Sequence, residues 1–217
     1  MSYSPQPQDA VFLPPSLTAW VLAALLAAAA AAWLGRPVAA TPRASNAAFD
    51  LERDLPKAAV AVENRGVTTP CAWHPADQRF RCGDDPWAFV GPYGGTTEGH
   101  ARRCTWAHPI AAGSTTVLRW PGATVGAELS ASLGLVDGAP DGSPVHLKIL
   151  LDQDIVAELE SRSSADLAQV VKSIGSGGHQ ADLRVELSAT DHSMRMACID
   201  VRMRGPRAPR LSGTEAR

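Results

Sequence analysis

The sequence predicts an all-β fold, an antiparallel β-sandwich, preceded by one N-terminal transmembrane helix. In the second half of the chain, several short segments alternate apolar and polar residues, and turn residues rich in Gly, Pro and Asp separate them. After one apolar run near the N-terminus, no long helical pattern recurs. The length of 217 residues suits one large domain with an appendage.

The apolar run is LTAWVLAALLAAAAAAWL, residues 17–34, which contains no charge and is just long enough to cross a bilayer as a helix. A tryptophan lies near each end, where indole rings favour the headgroup region. The alternative is a cleaved signal peptide, with Val38 and Ala40 as the small residues before the cleavage point. Because residues 1–16 lack the basic segment of a signal peptide, we predict a disordered tail followed by an uncleaved anchor.

All four cysteines follow this apolar run, and none has the paired spacing of metal ligands. An even number of such cysteines is typical of disulfides in an oxidising compartment, so we predict that the C-terminal domain is extracytoplasmic, in the periplasm or at the cell surface. Basic residues after the run favour the opposite orientation. Large domains translocate largely regardless of flanking charge, and we therefore follow the cysteines.

Residues 35–45, GRPVAATPRAS, contain two prolines and few large apolar side chains, which predicts a semi-extended linker. The folded domain is expected over residues 46–205. It begins with a short helical turn that ends before Pro56, followed by a strand over residues 59–63. Residues 206–217 are expected to form a disordered basic tail.

The clearest strands are VHLKILL, residues 145–151, and LRVELSA, residues 183–189. Their odd-numbered residues are apolar and face one side, which predicts strands with one buried face. STTVLRW, GAELSASLGLV and CIDVRMR are further candidate strands, and in the last of these Arg202 and Arg204 are expected to face solvent. The segments DGAPDGSP and GSGGHQ between them have the composition of turns.

The run VGAELSASLGLVDGAPDGSPVHLKILLDQDIVAEL, followed by HQADLRVELSAT and CIDVRM, resembles the galactose-binding-like jelly rolls, especially the NPCBM modules appended to glycosidases. The shared features are a strand ending in GL.D, a strand of the form V.L.I..D before a hairpin, and a later strand L.V.L.A. The resemblance covers residues 114–204 and departs at the hairpin, where such modules often have Asp-Gly and this chain has DQD. It implies the sandwich fold and contact with carbohydrate, and it supplies no ligand residues.

The earlier block CAWHPADQRFRCGDDPWAFVGPYGG…RRCTWAHP is similar to a Cys- and Trp-rich segment of bacterial envelope proteins, some of them associated with membrane glycosyltransferases. We expect this block to be rich in loops. Aromatic faces stack on sugar rings and charged side chains bind hydroxyl groups, so the block holds the candidate ligand-binding residues. These are Trp73, Tyr93, Asp84, Asp85 and Arg103.

The alternative is that the aromatic residues of this block fill a small core held by the cysteines. We expect such packing of Trp87, Phe89 and Trp106. Trp73 and Tyr93 are the better candidates for exposure, because nearby prolines and a glycine make their surroundings turn-like.

Four cysteines allow three pairings, and we predict Cys71 with Cys82 and Cys104 with Cys198. The first pair closes a short loop that is too polar to have a core of its own. The second ties the aromatic block to the final strand, because the first and last elements of a sandwich commonly lie side by side.

The chain contains no motif of a zinc protease, a serine hydrolase, a P-loop or a dinucleotide site. Asp152 and Asp154 form an Asp-x-Asp pair, with which a glycosyltransferase can hold a metal ion, but a hairpin turn explains the same residues and we assign them to it. The six histidines show no paired spacing, so neither a metal site nor a cofactor is predicted. With 20 Lys plus Arg against 22 Asp plus Glu, nucleic acid is not an expected partner.

The predicted protein is therefore a single-pass, membrane-anchored, extracytoplasmic module that binds carbohydrate or a cell-surface partner without catalysis. The alternative is an accessory subunit that docks onto a membrane glycosyltransferase and binds no sugar itself. A glycan-processing enzyme is the third hypothesis. An exposed aromatic platform favours the first hypothesis, a contiguous apolar patch the second, and carboxylates gathered in a pocket the third.

Overall fold

The computed structural model describes residues 47–139, 142–191 and 195–205. The predicted N-terminal tail, transmembrane anchor and linker, and the predicted C-terminal tail, lie outside the described residues. Within the described residues, no helix has the length and hydropathy needed to cross a bilayer. The membrane anchor and the location of the domain therefore stay predictions.

The described chain is almost entirely β-structure. One short helix, α1 (Leu51–Asp54), and one 3₁₀ turn (Leu55–Lys57) lie between the first two strands. The strands in chain order are β1 (Ala47–Asp50), β2 (Ala59–Asn64), β3 (Val67–Pro70), β4 (Ala72–His74), β5 (Arg79–Arg81), β6 (Phe89–Thr97), β7 (His100–Ala107), β8 (Thr115–Thr124), β9 (Glu128–Leu135), β10 (Val145–Leu151), β11 (Asp154–Ser161), β12 (Ala168–Ser173), β13 (Gln180–Ala189) and β14 (Ala197–Arg204).

These strands form two antiparallel sheets that pack face to face. Within the described residues, the first sheet has eight strands, in the order β12-β9-β14-β7-β6-β5-β4, with β1 also paired to β14. The second has six, in the order β11-β10-β13-β8-β2-β3. From β8 to β14 the chain passes repeatedly between the sheets, as in a jelly roll. The predicted all-β sandwich is confirmed.

The core between the sheets follows from the alternation of apolar residues. Every second residue of β10 and β13 points inward, as predicted, and β9 and β14 supply the facing layer from the first sheet. Each fully buried aliphatic side chain contributes about 1.5–3 kcal/mol relative to exposure. The innermost residues include Leu147, Ile149, Leu183, Val185, Leu187, Leu129, Leu133, Ile199, Val201 and Met203.

Helix α1 anchors the start of the domain to the core. The Asp50 side chain caps it by accepting a hydrogen bond from the Arg53 backbone N–H at 3.2 Å. Leu51 is fully buried, and the Trp120 indole N–H donates to the Asp54 carbonyl at 2.8 Å. The predicted helical turn before Pro56 is present, although the 3₁₀ turn carries the chain through the proline to Lys57.

The hairpin between β10 and β11 confirms the predicted turn at Asp152. Asp152 and Gln153 both have positive φ, 49° and 81°, as a two-residue type I′ hairpin requires. The Asp152 carboxylate accepts from the Asp182 backbone N–H at 2.8 Å, which fixes it to β13. Within the described residues, no three His, Cys, Asp or Glu side chains are grouped as metal ligands.

The expectation that the aromatic block is rich in loops was wrong, because the block forms the long hairpin β6–β7. Pro92 has no N–H to donate, and it lies beyond the last residue of β6 that pairs with β5. Gly91 is required by close packing, since a Cβ atom there would lie 2.6 Å from the Arg79 Cβ. The glycines and proline that suggested loops are thus accommodated within a strand.

Candidate functional site

A second cluster of buried residues, separate from the main core, lies on the outer face of the first sheet. Cys104 and Trp106 are two residues apart on β7, so their side chains project from the same face. Cys198 on β14 pairs in register with Trp106 and projects beside it. We call the following set the aromatic face: Trp87, Phe89, Tyr93, Trp106 and His108, with the disulfide Cys104–Cys198.

Trp106 is the centre of the aromatic face and is only 1% exposed. The Phe89 ring stacks on it with centroids 5.4 Å apart and planes 10° apart. Tyr93 contacts it at 4.6 Å with a tilt of 56°, and Trp87 lies at 6.3 Å. Such aromatic pairs contribute about 0.5–1.5 kcal/mol beyond the area they bury. The cluster is therefore a rigid support on the outside of the sandwich.

The four cysteines form the two predicted disulfides. Cys104–Cys198 joins β7 to β14 within the aromatic face, and both cysteines are buried. Cys71 and Cys82 flank the β4–β5 hairpin and close its open end. Both disulfides thus hold the aromatic block, one to itself and one to the last strand.

Trp87 is 58% exposed, which corrects the expectation that it packs like Phe89 and Trp106. The turn before β6 explains the exposure. The Asp85 carboxylate accepts from the Trp87 backbone N–H at 2.9 Å, and the Asp85 carbonyl accepts from the Ala88 N–H at 2.9 Å. These bonds place Trp87 in a turn that begins at Asp85. From this turn, the Trp87 side chain covers Trp106 only in part.

The other predicted ligand-binding residues are not all brought together. Asp84 and Asp85 are exposed in the loop that carries Trp87, and Tyr93 is half-buried on the aromatic face. Arg103 is exposed on β7, and its Nε donates to the Glu52 carboxylate at 2.6 Å. Trp73, by contrast, is half-buried against Phe80 and the main core, so it does not join the aromatic face.

His108 belongs to the aromatic face although we did not predict it as a site residue. Its Nε2 lies 2.6 Å from the Trp87 carbonyl oxygen, and its ring meets the edge of Trp106 at 6.2 Å. A lone histidine two residues after a tryptophan gives no signal of this role in the sequence. The contact depends on how the loop before β6 lies against the end of β7.

Beyond the disulfide the same outer face becomes polar. Asp200 and Arg202 follow Cys198 on β14 at two-residue steps, and the Arg202 guanidinium lies 3.0 Å from Asp200 and 3.3 Å from Asp50. Burial raises the pKa of Asp200; the Arg202 charge opposes this, while the nearby Asp50 and Glu52 carboxylates add to it. Aromatic rings beside charged hydrogen-bonding groups can contact both the apolar face and the hydroxyl groups of a sugar.

Comparison with known proteins gives structural neighbours only. No family model matches the sequence, and no curated protein matches it. The structural neighbours include carbohydrate-binding modules, the class that the resemblance in the sequence predicted. Sequence identity to these modules is low, and each alignment covers about half of this chain.

One neighbour is the second CBM51 module with INT domains of Clostridium perfringens ZmpB, in complex with GlcNAc. Its sequence is 11% identical, the TM-score is 0.38, and the alignment covers 52% of this chain and 25% of that chain. Another is the CBM51 of Clostridium perfringens GH95 in complex with methyl-galactose. It has 12% identity and a TM-score of 0.38, and the alignment covers 52% of this chain and 81% of that chain. A β-1,3-glucan-binding CBM6 from Bacillus halodurans has 7% identity and a TM-score of 0.34, and the alignment covers 54% of this chain and 86% of that chain.

Proposed function

We propose that this protein is a membrane-anchored, extracytoplasmic module that binds carbohydrate without catalysis, through the aromatic face of the first sheet. The observation that carries the proposal is the exposure of Trp87, 58%, on top of the buried cluster around Trp106. An exposed indole held by other rings offers a flat apolar surface to water. The apolar face of a sugar ring can cover such a surface and release that water.

The contacts that hold Trp87 favour binding because the residue is already ordered before a ligand arrives. The backbone of Trp87 is held on both sides, by Asp85 at its N–H and by His108 at its carbonyl. A preorganised platform loses less conformational entropy on binding than a mobile one. Asp84 and Asp85, exposed in the same loop, supply hydrogen-bond acceptors for hydroxyl groups.

Among the described residues, three carboxylates beside this face are held in ion pairs with arginines. Such an enzyme directs one carboxylic acid and one carboxylate at the same glycosidic bond. Here Asp50 and Asp200 share Arg202, and Glu52 is bound by Arg103. A carboxylate held by an arginine is less available as a general acid or nucleophile, which favours the non-catalytic proposal.

Exposed hydrophobic residues favour the sugar-binding hypothesis over docking onto a glycosyltransferase. Besides Trp87, the large exposed hydrophobic residues of the described chain are Val67, Ile155 and Val171. Val67 on β3 and Ile155 on β11 lie at opposite edges of the second sheet, and Val171 lies on β12 of the first. In the described residues these side chains belong to four separate segments, of which β11 and β12 lie next to each other.

The binding test uses the full chain purified in detergent, first on a glycan array and then by calorimetry. Methyl-galactose and GlcNAc are the first soluble probes. We expect Trp87→Ala to weaken binding of the selected glycan at least about tenfold, a loss of about 1.4 kcal/mol. Ile155→Ala, an equally exposed residue on the other sheet, is the matched control and should bind like the wild type. No binding on the array, or full affinity in Trp87→Ala, contradicts the proposal.

The membrane part of the proposal has its own test. If residues 17–34 are an uncleaved anchor, the protein keeps its N-terminus and stays in the membrane fraction after carbonate washing. Recovery of a soluble chain that begins near Thr41 would show a cleaved signal peptide instead.

A further inference from the structure

The two ring nitrogens of His108 face two carbonyl oxygens. Nε2 lies 2.6 Å from the Trp87 oxygen, and Nδ1 lies 3.0 Å from the Pro109 oxygen. Both distances are those of hydrogen bonds. A carbonyl oxygen only accepts, so both contacts need an N–H on the histidine.

A neutral imidazole has one N–H and one lone pair, whereas the imidazolium ion has two N–H groups. With a neutral ring, one of these two contacts would bring a nitrogen lone pair against a carbonyl lone pair. Both contacts can be hydrogen bonds at the same time only in the doubly protonated ring. Hydrogen bonds from a charged donor are also about twice as strong as neutral ones, which suits the short contact to Trp87.

The described contacts of the His108 ring are with uncharged groups. His108 contacts the Trp106 edge on β7, and its own carbonyl accepts from the Thr116 hydroxyl on β8 at 2.9 Å. The titratable and charged groups on the neighbouring segments are Asp84 and Asp85 in the loop before β6, Tyr93 on β6, and Arg79, whose guanidinium lies 4.5 Å from the Phe89 centroid. Within the described residues, none of these four forms a hydrogen bond or ion pair with the imidazole.

We propose that His108 is a positioning residue: its doubly protonated ring holds the Trp87 platform in place, and the platform loosens when the ring loses a proton. As pH rises, one of the two contacts loses its donor, and the ring must turn away from one carbonyl. The effect on glycan affinity rests on the function proposed above, whereas the effect on Trp87 itself does not.

The first experiment follows Trp87 directly in the full chain labelled with 5-fluorotryptophan. Its ¹⁹F resonance is assigned from its absence in Trp87→Phe. Across the pH range in which the protein stays folded, we expect this resonance to shift with a one-proton transition. The resonance of Trp120, buried in the main core, is the internal control for folding and should stay fixed.

Two variants separate positioning from simple packing. His108→Gln places an amide donor that does not titrate near the Nε2 position, so it should hold the Trp87 resonance at its low-pH position at every pH. His108→Phe keeps a ring but has no donor, so the resonance should stay at its high-pH position. A wild-type resonance that does not move with pH, or a His108→Gln resonance that titrates like the wild type, overturns the proposal.

Glycan affinity gives the second readout. Wild-type affinity should fall about fivefold from low to high pH, the effect of losing one hydrogen bond. His108→Gln should bind with a flat pH profile, and His108→Phe should bind weakly throughout. If the Trp87 resonance titrates as expected but no glycan binds, the positioning role of His108 stands and the carbohydrate function is wrong. If glycan binds with the same pH profile in all three proteins, the positioning role is wrong.

Discussion

The two sheets of the sandwich follow the same alternation on their inner faces but carry different side chains on their outer faces. The outer face of the second sheet carries charged residues that pair with each other across and along the strands. The outer face of the first sheet holds the aromatic face and a disulfide. The pairs of the second sheet are Lys148–Glu158, Arg184–Glu63, Arg184–Glu186 and Arg119–Asp182.

The outer face of the first sheet adds more to the stability of the fold than the charged outer face of the second sheet. Exposed ion pairs gain about 0–1 kcal/mol each, because water and salt screen them and the long side chains lose entropy. Trp106 and its neighbours form a buried core outside the main one, where each large side chain contributes several times more. The first sheet can therefore hold an exposed Trp87 without help from the main core.

Loss of the disulfide Cys104–Cys198 should cause the largest decrease in the free energy of unfolding. It closes a loop of sequence separation 94, against 11 for Cys71–Cys82. The chain-entropy model gives about 4.7 kcal/mol for the long loop and about 2.8 kcal/mol for the short one. Cys198→Ser should thus lower the free energy of unfolding more than its matched control, Cys82→Ser, as measured by urea denaturation. A larger loss in Cys82→Ser would mean that the disulfide of the aromatic face is not the stronger constraint.

Truncation of Trp106 should come next. The side chain is fully buried under Phe89, Tyr93 and Trp87, so Trp106→Ala should cost about 3–5 kcal/mol. On the second sheet, Arg184→Ala removes an equally central side chain and should cost about 1 kcal/mol or less. Denaturation of both variants measures the difference. Equal losses would show that the outer cluster contributes no more than the charged face.

The inner faces were predictable from the sequence because burial of one side of a strand imposes a period of two. In β10 and β13 every expected inward residue is buried, and Leu147 and Val185 are fully so. The turn at Asp152 was predictable as well, since polar residues between two strong strands leave little other choice. These features depend only on neighbours in sequence.

The outer aromatic face was less predictable because it depends on contacts between segments distant in sequence. Gly91 and Pro92 weaken the strand pattern of β6, and the packing of Arg79 over the strand that explains Gly91 is not visible in sequence. Nothing in the spacing of the aromatic residues shows that the turn at Asp85 leaves Trp87 outside. The contact of His108 with Trp87 spans 21 residues and requires both neighbouring strands to be in place.

Acid titration should give opposite results for one aspartate on each face. On the second sheet, the Arg119 hydrogen bonds lower the pKa of Asp182, so its stabilising effect is present above about pH 3.9 and is lost as pH falls through the lower folded value. On the first sheet, burial raises the pKa of Asp200, so its ionised form becomes a cost as pH rises from about 3.9 through the higher folded value.

Relative to the wild type, Asp182→Asn should therefore lose stability as pH rises from about 3 to about 7, whereas Asp200→Asn should gain it. Arg202 keeps Asp50 as a partner in the second variant, so its charge stays paired. Urea midpoints measured across this range test the signs. Slopes of the same sign would mean that the two outer faces present similar environments to a carboxylate.

The ion pair Lys148–Glu158 should show the smallest effect. Its Nζ and Oε1 atoms are 3.4 Å apart, and the side chains are 43% and 57% exposed. A double-mutant cycle to alanine should give a coupling of about 0.2–1 kcal/mol. At 1 M salt, where the screening length is about 3 Å, the coupling should nearly vanish. The matched cycle for Phe89 and Trp106 should give about 0.5–1.5 kcal/mol and no loss in salt, because stacked rings carry no net charge. If the Lys148–Glu158 coupling were as large and did not decrease in salt, the charged face of the second sheet would be as stabilising as the aromatic face of the first.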